Sequence, residues 1–238
     1  MAINEKENFP LDIDENSQKL IPTGKLDGEY VALCTTGDGN CLFRAASILA
    51  HGDESKHQEM RVRTLLELGC NKSHYLADPN IKERIRFQEE YIRGKSGVKG
   101  ISKLSGEFDK TGLEEVFKAE VCETCKDSTW ASYWHLHALA TVFHRPVRSV
   151  FPESRRESLV SHFNAVIHPR EGYSMMHPLV IMWTSTGSWE TTGPNHFVPL
   201  VPADKVCPSG RSKLTFLNSY SFTSLFCNVA KGFLGSDL

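Results

Sequence analysis

The feature that most constrains this chain is a glycine-flanked turn that runs directly into an apolar helix. Gly37, Asp38, Gly39 and Asn40 are turn-forming residues. The two glycines permit backbone angles denied to other residues. From Cys41 the pattern changes. Leu42, Phe43, Ala45, Ala46, Ile48, Leu49 and Ala50 are apolar over more than one helical face, which predicts a buried helix. His51-Gly52-Asp53 is expected to end it.

Further elements follow from periodicity. A second helix is predicted from about Ser55, as a possible N-cap, to a stop near Gly69, with Met60, Val62, Leu65, Leu66 and Leu68 toward the core. Residues 80–92 and 113–122 also read as helices, and Gly94–Gly100 as a mobile surface loop. Thr129 to Phe143 has the strongest helical pattern after Cys41, and Pro146 blocks its continuation. Short strands are predicted at 30–33, 147–151, 179–183 and 196–201; the last carries Pro199, which a sheet edge tolerates. Helices followed by clustered strands point to an α/β layered domain over about 28–202. Residues 1–27 are polar and acidic and read as a flexible lead-in. Residues 203–238 read as a tail, partly helical or without fixed structure.

Composition narrows the class. With 238 residues, 40% of them hydrophobic, the chain can bury a substantial core. A formal net charge of −2 gives no bias toward nucleic acid or anionic lipid. No apolar run approaches the roughly 20 residues of a membrane span, and the acidic start does not resemble a secretory signal. Seven scattered cysteines, an odd number, fit a reducing compartment with free thiols rather than a disulfide scaffold. An intracellular location, cytoplasmic or nuclear, is expected.

A thiol in the first turn of a helix has chemical consequences. Cysteine attacks as the thiolate, and the helix N-terminus favours that form through its dipole and unpaired N–H groups. The N–H groups of the turn converge where an oxyanion would be held. On these local arguments alone, a turn followed by a helix with a structural cysteine is the favoured reading.

The octapeptide Asp38-Gly39-Asn40-Cys41-Leu42-Phe43-Arg44-Ala45 resembles the nucleophile signature of the OTU (ovarian tumour) cysteine proteases. Three more segments fit in order. His57–Arg61 is similar to the second-helix motif, Trp130–Ala140 with Arg145-Pro146-Val147 to the tryptophan-led helix and its strand, and Asn195-His196-Phe197 to the terminal histidine motif. Segments 134–140, 163–170 and 181–183 are also similar to the OTU-like domain of vertnin. The resemblance implies a papain-type OTU-like fold, a small central β-sheet flanked by helices. It implies Cys41 as nucleophile, His196 as general base, and Asp38 as the motif's acid. The backbone of Gly39 and Asn40 would shape the oxyanion turn. The implied activity is thiol-dependent deubiquitination, with ubiquitin or polyubiquitin conjugates as partners and no cofactor, metal, nucleic acid or membrane. Many family members carry Asp or Asn two residues after the histidine; here that position is Val198. Asn195 or Asp38 would then have to orient the imidazole. A catalytically silent interaction module is the alternative.

Other signals carry less. Cys122 and Cys125 have the spacing of half a zinc site, but a structural zinc takes four ligands, and His135 and His137, two apart on a helix, face different ways. Lys95, Lys99 and Lys103 read as a solvated basic loop.

Overall fold

A computed structural model describes residues 12–91, 110–153 and 157–206. The basic loop around residues 94–103 and the tail beyond 206 lie outside the described residues, as do residues 1–11 of the lead-in.

The centre is a mixed five-stranded sheet. Its strands are β1 (Tyr30–Ala32), β2 (Val147–Val150), β3 (Ala165–Ile167), β4 (Leu179–Thr184) and β5 (His196–Pro202), in the order β1-β5-β4-β2-β3. Strand β5 runs antiparallel to both β1 and β4, while β2 and β4 are parallel. Around it lie α1 (Glu15–Gln18), α2 (Cys41–His51), α3 (His57–Cys70), α4 (Lys72–Ala77), α5 (Pro79–Tyr91), α6 (Lys110–Thr124), α7 (Tyr133–Val142), α8 (Glu157–Phe163) and α9 (Trp189–Thr192). Among the described residues no helix is long and apolar enough to cross a membrane. This is the small sheet flanked by helices that the octapeptide resemblance implied.

Strands β4 and β5 read as continuous apolar runs because both sheet faces are covered. Side chains alternate along them. Ile181, Trp183 and Phe197 join the main core with Phe43, Phe117 and Trp134. Val180, Met182, Val198 and Leu200 form a second cluster on the opposite face, closed by Leu20, Ile21 and Leu26. That second face corrects the expectation of a flexible lead-in. Within residues 12–27, Asp14 caps α1 by accepting from Asn16 N and Ser17 N, and Ser17 Oγ meets Thr184 Oγ1 at 2.7 Å. The apolar residues just after α1 are needed to dry the back of the sheet.

Helix α2 ends as expected. Gly52 adopts the left-handed region at φ 91° and donates to Ile48 O, the glycine C-cap geometry. Helix α3 starts at His57 rather than Ser55. Helix α7 starts four residues later than its apolar periodicity suggests, at Tyr133, because the chain through Thr129 is held by hydrogen bonds to a buried arginine. Strand β3 and helix α8 were not foreseen; both are short, and β3 is an edge strand.

Candidate active site

Two elements bring the site together: the head of α2 and the start of β5. Cys41 is the first residue of α2, and His196 the first of β5. Both are buried, at 9% and 5% exposure. They line one cavity of about 120 Å³, whose walls include Gly37, Gly39, Trp183 and Phe197, with the half-exposed Trp130 among its lining residues. Phe197 adjoins His196, and its backbone N–H favours the charged form of the Cys41 thiol. Among the described residues no hydrogen bond joins the sulfur to the imidazole, and what the two share is the lining of this cavity.

Burial dominates the protonation of both groups. It pushes the Cys41 thiol up to about 11, against the opposing pull of the Phe197 and Leu42 N–H groups. It also pulls His196 below the usual histidine value, with Asp14, Thr35 and more distant carboxylates acting in the other direction. At rest the thiol and the imidazole are therefore both neutral.

The turn before Cys41 is built around Asp38, whose carboxylate is fully occupied. It accepts from Arg44 Nε at 3.1 Å and Nη2 at 2.6 Å, and from Asn40 N at 3.0 Å and Asn40 Nδ2 at 3.1 Å. The Arg44 guanidinium holds Asp38 well below the usual carboxylate range. Arg44 also binds Glu54, which accepts from Thr36 N and Oγ1. Asp38 thus shapes the turn and has no free lone pair directed at His196. Gly39 is required by geometry: φ is +85°, and a Cβ there would lie 2.2 Å from Ser128 O.

Arg61, within the segment resembling the family's second-helix motif, has a role that only the fold discloses. It is 5% exposed. Its guanidinium donates to Asn40 Oδ1 at 2.9 Å, Gly39 O at 3.2 Å, Thr129 O at 2.8 Å and Lys126 O at 3.0 Å, and lies 4.5 Å from the Phe43 ring centroid. One side chain on α3 thereby ties the turn before Cys41 to the connection between α6 and α7.

Asn195 lines the cavity but does not orient the imidazole. Its amide is exchanged with Thr186: Oδ1 accepts from Thr186 N at 2.8 Å and Nδ2 donates to Thr186 Oγ1 at 3.1 Å. Val198 belongs to the second core cluster. The side chain at the ring is Thr35, with Oγ1 2.9 Å from His196 Nε2. Nothing in the sequence distinguishes Thr35 from the other polar residues of its turn. Cys122 and Cys125 are exposed on the end of α6. His135 is buried within a local chain, its Nδ1 accepting from Ser132 N and its Nε2 meeting Thr124 Oγ1.

The model of the family described as "Vertnin, OTU domain" matches residues 32–184. The chain is 30% identical over 201 residues to vertnin of Ailuropoda melanoleuca, covering 84% of this chain and 28% of that protein. It is 31% identical over 199 residues to vertnin of Bos taurus, covering 82% and 29%. The chain belongs to the vertnin OTU-domain family. It spans less than a third of the length of these curated relatives. Among solved structures, the OTU domain of OTUD1 aligns with a TM-score of 0.42 at 19% identity, over 72% of this chain and 85% of that one.

Proposed function

We propose that this domain is a thiol-dependent hydrolase of ubiquitin isopeptide bonds, with Cys41 as nucleophile and His196 as general base. The observation that carries the reading is that both residues line one cavity.

The chemistry follows from elementary steps. His196 removes the Cys41 proton as the sulfur adds to the carbonyl carbon of the isopeptide. The negative charge on the carbonyl oxygen is met by N–H groups at the head of α2, held by the Asp38 turn. Collapse breaks the C–N bond, and the imidazolium returns its proton to the leaving lysine amine. Water, deprotonated by His196, then releases the carboxylate and regenerates the thiol. The turn residues Gly39 and Asn40 act through their backbone, and Asp38 through the shape it gives them.

A second reading is a silent interaction module. It is favoured by the raised Cys41 thiol and by Val198 in the position where the family often has Asp or Asn. One experiment separates the two. A ubiquitin probe with a C-terminal electrophile should label the protein at Cys41, with no labelling of Cys41→Ala. A di-ubiquitin panel should be cleaved by wild type and left intact by His196→Ala. Ubiquitin binding with no labelling and no cleavage supports the silent module instead.

A further inference from the structure

We propose that Thr35 is the positioning residue that sets the tautomer of His196, in place of the Asp or Asn that many family members carry two residues after the histidine. The inference rests on the reading of Cys41 and His196 as the reacting pair, and it concerns how the ring is presented to the sulfur.

The protons shared by Thr35, Phe197 and His196 can be counted. Thr35 Oγ1 lies 2.6 Å from Phe197 O and 2.9 Å from His196 Nε2. A backbone carbonyl has no hydrogen to give, and a hydroxyl has one. Two oxygens 2.6 Å apart need a proton between them, so the Thr35 hydrogen belongs to Phe197 O. Only lone pairs of Oγ1 are left for the ring. His196 Nε2 is then the donor, and the neutral ring has a single N–H. Its Nδ1 must carry the lone pair, the form a general base requires. Once Nδ1 takes up a proton, Nε2–H still donates to the same oxygen, so the support persists through the cycle.

The fold explains why a hydroxyl is available at this point. Strand β1 ends at Ala32, and Leu33 N makes the next bond, to Pro199 O at 3.1 Å. Beyond Leu33 the chain leaves β5, and the edge groups of Phe197 lose a strand partner. Thr35 takes the carbonyl, and the N–H acts on the Cys41 thiol by favouring its charged form. The Thr35 backbone carbonyl is a second acceptor at the ring, while the other polar groups nearby are engaged elsewhere: Asn195 with Thr186, Asp38 with Arg44 and Asn40, and Asp14 with the first turn of α1.

The test uses the full chain with 15N-labelled histidine and long-range 1H–15N spectra above the His196 pKa, with His196→Gln to assign the signal. Wild type and Thr35→Ser are expected to show one tautomer, with a pyrrole-type Nε2 and a pyridine-type Nδ1. Thr35→Val keeps the shape and the backbone carbonyl but loses the hydroxyl acceptor, so its His196 signal should shift toward the other tautomer or a mixture. His135, pinned by Ser132 N, reports that the fold is intact. In steady-state hydrolysis of a fluorogenic ubiquitin amide, Thr35→Val should lower kcat about tenfold with KM within about twofold, and Thr35→Ser should recover it. A pyridine-type Nε2 in wild type, or an unchanged tautomer in Thr35→Val, overturns the assignment. A tautomer change with no turnover by any form leaves Thr35 as the orienter and removes the hydrolase reading.

Discussion

Arg61 Nε donates to Asn40 Oδ1 over 2.9 Å, joining the middle of the domain to the residue immediately before Cys41. The same guanidinium serves carbonyls at Gly39, Lys126 and Thr129. Truncation to Arg61→Ala would strand several buried acceptors at once, so a loss of about 3 kcal/mol is expected in chemical denaturation. Arg61→Lys should not restore it, because an ammonium cannot reach the same spread of acceptors. Full recovery in the lysine variant would show that charge rather than the planar fork matters.

Gly39 and Gly37 flank Asp38 but differ sharply in what they tolerate. At Gly39 an added methyl meets Ser128 O at 2.2 Å on a backbone at φ +85°. At Gly37 the nearest atoms are Thr186 Cγ2 at 3.5 Å and His196 Cε1 at 3.8 Å, ordinary contact. Gly39→Ala is therefore expected to cost about 2–3 kcal/mol, and Gly37→Ala less than about 1 kcal/mol. Thermal denaturation of the two variants side by side checks the contrast. Equal losses would mean that the turn relaxes around either residue.

The contrast bears on what could be read without coordinates. The buried helix after Cys41, its glycine stop at Gly52 and the paired apolar strands were legible because burial imposes a period on many residues at once. The glycine at position 39 was legible as a turn former. Thr35 and Arg61 were not legible in their present roles. A threonine in a turn looks like any other, and its contact with His196 spans 161 positions. Arg61 appears on paper as one charge among several on an amphipathic helix, and its burial depends on carbonyls from the α6–α7 connection. The same connection explains the misplaced start of α7, where tertiary hydrogen bonds override local periodicity.

Burial sets the reactivity of Cys41. With the thiol pushed up to about 11, its thiolate fraction rises about tenfold for each pH unit between 7 and 9. Alkylation of Cys41 by iodoacetamide, followed by peptide mass spectrometry to separate it from the exposed Cys34, Cys70, Cys122 and Cys125, should climb with that slope. A rate already flat from pH 6 upward would indicate a preformed thiolate–imidazolium pair, contrary to the neutral resting state.

His137 should make the domain acid-labile independently of the site. It is partly buried on α7 against the Tyr133 ring, 5.1 Å between centroids, and among the described residues its buried Nε2 has no hydrogen-bond partner. Burial, aided by the nearby Arg84, holds it down to about 3. The folded value lies below the unfolded one, so between about pH 6.5 and 3 the unfolded chain binds the extra proton. Stability is complete above pH 6.5 and declines as pH falls, by about 1.4 kcal/mol per unit. At pH 5 the loss from this residue is about 2 kcal/mol. His137→Phe retains a ring and removes the titration, so its stability should fall less steeply than wild type between pH 6.5 and 4.5 in urea denaturation. His196 and His51, which burial also lowers, contribute to both curves and cancel in the difference. Parallel slopes for the two proteins would show that His137 is not the group taking up the proton on unfolding.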